Sequence, residues 1–120
     1  MSAPDIGTLR ALVKAYDEAW AVLQANSAAV DAAVAAALAS EFGPVERQHL
    51  RRIWRAGHNS LLVVFDQIRA EWRAMASRGH DDFGRALADT PRAAVDQALA
   101  ALRITHPAEA DALAAVVPHV

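Results

Sequence analysis

Five histidines, at positions 49, 58, 80, 106 and 119, are the side chains of this sequence best suited to bind a metal or move a proton near neutral pH. One of them closes a Glu-x-x-His pair, formed by Glu46 and His49. A di-iron bundle needs two such pairs and a glutamate from each of two other helices. Glu18 and Glu41 could supply carboxylates, but no second Glu-x-x-His follows. No metal centre and no cofactor are expected. Ser60 lies near a histidine without an acidic residue at a spacing that would orient it, so a hydrolase triad has no support. Cysteine is absent, which removes disulfides, thiolate nucleophiles and thiolate metal ligands. The sequence favours a protein that is not an enzyme.

His58-Asn59-Ser60 falls in the middle of an expected helix. In that setting His58 resembles the phospho-accepting histidine of histidine phosphotransfer domains, which are helical bundles of similar size. The resemblance implies a signalling protein that carries a phosphoryl group on His58. That family places a lysine three residues and a glycine four residues after its histidine; this chain has Leu61 and Leu62 there. Arg55 and Arg51, one and two turns back, are the cations left to balance the phosphoryl charge. The plainer expectation is a half-buried histidine bonded to a neighbour.

Arg47, Arg51 and Arg55 step by four and would form one stripe on a helix, with Arg52 beside it. The segment from Pro44 to Gly79 carries a charge of +4 and the rest of the chain −6. Such a stripe could bind nucleic acid, phosphate or an acidic protein. The favoured expectation is that it is met internally, by Asp31 and Glu41 on the first helix or by acids of the C-terminal third. Phe83 to Leu102 has the rhythm of a helix-turn-helix around Asp89-Thr90-Pro91. Its second helix would present Arg92, Asp96, Gln97 and Arg103, a poor charge set for DNA.

The elements that would position these residues read as helices. Alanine supplies 30 of the 120 residues and is the strongest helix former. Ile6, Leu9, Val13, Tyr16, Trp20, Leu23, Ser27, Val30, Val34 and Ala37 alternate spacings of three and four, an a/d seam. Asn26-Ser27 is its only weak point. Phe42-Gly43-Pro44 is a stop signal, with Gly43 suited to a left-handed C′ position. From Pro44 to about Arg78 the seam continues as Leu50, Trp54, Gly57, Leu61, Val64, Ile68, Trp72 and Met75. A tight turn at Gly43 makes the two segments an antiparallel hairpin, with Trp54 opposite Ala32, Ala33 and Ala36. Shorter helices are expected at about 81–89, at 91–104 behind Thr90-Pro91, and at 107–117 behind His106-Pro107. The expected fold is therefore one all-α domain, a helical bundle built on the hairpin 5–78 with two or three shorter C-terminal helices.

Leu61 to Phe65 is apolar on every side of a helix and needs cover from more than one neighbour. The C-terminal helices are assigned there, which leaves the turn half of the hairpin bare. Val30, Val34, Leu38, Phe42 and Leu50 are the expected contact with a second copy, giving a C2 four-helix bundle. The longest uncharged apolar-rich stretch, Ala32 to Ser40, is shorter than the ~20 residues that span a bilayer. With no signal-peptide pattern at Met1 to Asp5, the expectation is a cytoplasmic, self-associating interaction module without a membrane partner.

Overall fold

The computed structural model describes residues 5–45 and 50–118. Along the chain these form α1 (Ile6–Phe42), β1 (Arg51–Ala56), β2 (Asn59–Asp66), β3 (Glu71–Arg78), β4 (Asp81–Ala88), α2 (Pro91–Thr105) and α3 (Pro107–Val116). The chain divides into two compact units, the first ending at Ala33 and the second beginning at Val34. The all-α expectation is overturned: the four strands make one antiparallel meander in the order β1-β2-β3-β4. The second arm of the expected hairpin and the helix expected at 81–89 are both sheet. The helix-turn-helix falls with them, because Phe83 and Leu87 lie on β4.

Helix α1 begins where Asp5 accepts a hydrogen bond from the Thr8 amide at 2.8 Å. That bond holds the Asp5 carboxyl below its usual pKa. The helix passes Asn26-Ser27 unbroken and ends at Phe42. Gly43 follows in the left-handed region, at φ 83°, and its N–H reaches the Ala39 carbonyl. By length and composition α1 could cross a membrane.

Local chemistry explains the sheet. Gly57-His58 and Gly79-His80 are two-residue turns between paired strands, with positive φ at the glycine alone. Glycine first with only that φ positive is the II′ hairpin turn, whose twist matches antiparallel strands. Between β2 and β3, Asp66 Oδ1 accepts from the amides of Ile68 and Arg69, both at 3.0 Å, and Ala70 takes φ 53°. β-branched and aromatic residues, Ile53, Trp54, Val63, Val64 and Phe65, suit the pleat. The heptad seam expected over Leu50 to Met75 came from apolar residues dense enough to satisfy either period. Ile68, a seam position, is in a turn and 97% exposed.

One face of the sheet carries the core. Trp54, Leu61, Val63, Trp72, Ala74, Ala76 and Ala88 are buried on it. Helix α2 lies over β3 and β4, and α3 over β1 and β2. Ala74 pairs with Ala86 and Ala76 with Gly84, so the strands under α2 present almost no side chain. Ala94 and Ala98 are the matching small residues of α2, both fully buried. Alanine here permits close helix–sheet approach, whereas its abundance suggested helix. The last two turns of α1 complete this core with Val34, Leu38 and Phe42. Phe42 meets Trp54 edge to face, with ring centroids 5.0 Å apart. Glu41 accepts from the Arg92 amide, and Thr90 Oγ1 from the Ala93 amide, at the start of α2. Arg103 joins α2 to Asp111 of α3 at 3.1 Å.

Candidate functional site

The residues singled out by sequence do not converge on one site. Arg51 and Arg55 alternate on β1 and share its outward face, while Arg47 lies outside the described residues, as do Glu46 and His49. His58 occupies the β1–β2 turn, exposed, so the helical setting of a phosphotransfer histidine is absent. His80 occupies the equivalent β3–β4 turn, and both border an opening of about 750 Å³ with Arg78, Asp81 and Glu109. Among the described residues no three histidine, cysteine or acidic side chains come together to hold a metal. Glu41 is committed to the start of α2, where it accepts from the Arg92 amide.

The expected dimer contact divides. Val34, Leu38 and Phe42 are 6%, 0% and 1% exposed, inside their own chain's core, and Leu50 packs half-buried against it. Those four are satisfied without a second copy. The reason is the sheet: it supplies the cover that a two-helix hairpin would have lacked. Val30 alone of the five stays exposed.

The unsatisfied apolar surface lies further toward the N-terminus. The first unit is a single stretch of helix, and every one of its described residues is exposed. Its seam positions Ile6, Leu9, Val13, Tyr16, Trp20, Leu23 and Val30 are between 39% and 68% exposed. Isolated large apolar residues on a surface need no explanation, but seven in heptad register over more than three heptads form a stripe that water does not favour. Arg10, Asp17, Gln24 and Asp31 occupy the e positions beside it, and Asp5 and Asn26 two of the g positions. Both signs of charge therefore flank the stripe.

A second surface was not found by sequence reasoning. Strand alternation and pairing place Arg51, Val64, Arg73 and Leu87 in one cross-strand row, and Ile53, Leu62, Met75 and Arg85 in the next. These rows lie on the face of the sheet opposite the helices. The signal was present in Trp72-Arg73-Ala74 and Ala76-Ser77, where apolar and polar residues alternate with period two, Met75 being the exception.

Neither the family models, nor the curated proteins, nor the solved structures compared with this chain contain a match to it.

Proposed function

We propose that this chain is a non-enzymatic interaction module that forms a homodimer through its N-terminal helical arm. The observation that carries this is the exposed a/d stripe from Ile6 to Val30. A heptad stripe is self-complementary: a second copy offers knobs and holes at the same spacing. Asp5 at a g position would meet Arg10 at the following e position of a parallel partner, an attractive pair. Tyr16 and Trp20 add the largest apolar areas on the stripe, which is where interface energy concentrates.

A membrane would also cover this helix, and magnitudes decide against it. Between Glu18 and Glu41 the chain has one charge, Asp31, near the middle of the span. An aspartate at the centre of a spanning helix costs roughly 3 kcal/mol, whereas Val22, Leu23, Val30, Val34 and Leu38 together return only about 2. Gln24 and Asn26 add further cost. The arm accordingly serves a protein partner, and the protein works in the cytoplasm.

Sedimentation of the full chain at micromolar concentration tests the proposal. A dimer is expected, converting to monomer when Val13 and Leu23 are both changed to glutamate. A wild-type monomer would overturn it. Flotation with phosphatidylcholine vesicles should leave the chain in the dense fractions.

A further inference from the structure

The two edges of the sheet differ. β4 is irregular: its register with β3 shifts between Ala76 and Ser77. β1 pairs with β2 in unbroken register from Arg51 to Ala56, and among the described residues no backbone bonds to its other side. Which groups face that open side follows from the turn. Across Gly57-His58 the Asn59 amide donates to the Ala56 carbonyl, so Ala56 and Asn59 are a hydrogen-bonded pair. Such pairs alternate along an antiparallel ladder. Trp54 and Arg52 therefore also bond to β2, while Arg51, Ile53 and Arg55 turn their N–H and C=O groups outward. The same three residues stand on the sheet face opposite the helices, and all three are exposed.

The charge along this edge is unbalanced. Among the described residues Arg51 and Arg55 make no ion pair. Their cross-strand neighbours on β2 are Val64 and Ser60. Asp66 is diagonal to Arg51, but its carboxylate is taken by Arg73 and by the amides of Ile68 and Arg69. The row of Arg55 continues through Ser60 and Ser77 to Asp82. Asp82 is three strand spacings away, about 14 Å, beyond the screening length of about 8 Å in physiological salt. Arg52, on the helix side of β1, lies over the Trp54 ring at 5.6 Å. These charges select what can pair here. A second β1 that used the whole edge would set Arg51 opposite Arg55 at both ends, and like charges directly opposite destabilise a strand pair. An extended segment reading acid-x-apolar-x-acid would instead set its apolar residue on Ile53 and its two carboxylates on Arg51 and Arg55. Nucleic acid carries the charge but not the alternating amides and carbonyls that complete a strand edge. We propose that β1 accepts an acidic, extended segment of a partner protein as a fifth strand. This edge belongs to the second unit and is separate from the seam of the arm.

The test uses the full chain and a fluorescent peptide of about ten residues, roughly 34 Å when extended, centred on Glu-Thr-Val-Thr-Glu. Anisotropy should report saturable binding that is lost when lysine replaces both glutamates. Methylating the valine amide removes an edge hydrogen bond and leaves every charge in place, so it should abolish binding. Methylating a threonine amide, which points away from β1, should not. Arg51→Glu together with Arg55→Glu should weaken binding about tenfold or more, because two attractive cross-strand pairs become repulsive. Ile53→Pro deletes the central outward donor at a position where an edge strand tolerates proline, and should also abolish binding. Circular dichroism of each variant must match the wild type; if the proline variant unfolds, the methylated peptides and the charge reversal still decide. Val13→Glu with Leu23→Glu, on the arm, should bind the peptide normally, so failure of the dimer and failure of this edge are distinguishable. Absence of saturable binding, or equal binding of the lysine or valine-methylated peptide, would overturn the proposal. So would tighter binding of an oligothymidylate that the same arginine reversal weakens, because the ligand would then be nucleic acid. If Ile53→Pro instead dissolves assemblies larger than a dimer, a second copy occupies the edge and the proposal also fails.

Discussion

Gly84 on β4 lies directly beneath the Ala98 carbonyl of α2, so close that a Cβ on Gly84 would stand 2.3 Å from that oxygen. The Leu102 amide would be 3.0 Å from the same atom. Both neighbours are backbone and cannot swing aside. Gly84→Ala should therefore force α2 away from the sheet and cost about 1–3 kcal/mol, the usual range for overpacking. Urea denaturation of the variant against wild type measures it; an unchanged midpoint would mean that α2 does not sit this close.

Helix α1 should respond to truncation in two different ways. Leu38 is fully buried, and Leu38→Ala should lower the unfolding free energy by about 2–5 kcal/mol. Leu23 is 57% exposed, and Leu23→Ala should leave the folding of the second unit within about 0.5 kcal/mol of wild type. The same substitution should weaken self-association in sedimentation. A large loss of second-unit stability from Leu23→Ala would place the arm in the core.

Gly57 holds φ 63° at the first position of its turn, with open space where a Cβ would go. Strain, not collision, is what a substitution meets there. Gly57→Ala should cost about 1–2 kcal/mol through the left-handed backbone alone. Gly79→Ala, at φ 61° in the matching turn, should cost the same. Thermal melts of the two variants side by side check that equality.

Asp66 gives the second unit an acid-sensitive joint. The Arg69 amide lowers its pKa most; burial is the next largest effect and opposes it, and the Arg73 charge and the Ile68 amide lower it further, so the net shift is downward. A carboxylate whose folded pKa is depressed stabilises the fold above its unfolded pKa, near 4, and loses that contribution as pH falls through the folded value. Asp66→Asn keeps an acceptor for the turn amides and discards the charge. Wild type should melt above the variant at neutral pH, and the difference should shrink below about pH 4. Asp5 titrates identically in both proteins and cancels. A difference independent of pH would show that the ion pair with Arg73 contributes nothing.

The parts of the fold readable from sequence are those set by local chemistry. Thr90-Pro91 does open α2, and His106-Pro107 opens α3. Gly43 ends α1 in the conformation its position required. The sheet was hidden because its inward positions on β3 and β4, Ala74, Ala76, Ala86 and Ala88, are a residue with poor strand propensity. Their selection comes from the closeness of α2, a tertiary demand that no window of sequence displays. The two Gly-His turns are the available clue, but Gly57 also fits the heptad running from Leu50 to Met75, and Gly79 also fits the end of a helix. Arg51 and Arg55 share a face in either conformation, being four apart. Arg73 and Arg85 join them only through strand pairing.

The meander order has a kinetic consequence. Each strand pairs with its neighbour in sequence across a connection of two or four residues. Closing such short loops costs little chain entropy, and no long crossover must be held in place before contacts reward it. The sheet can therefore grow by zipping one hairpin onto the next, with low contact order for a protein so rich in strand. Refolding of the second unit belongs with the faster mixed α/β domains, ahead of sandwiches and barrels of similar length.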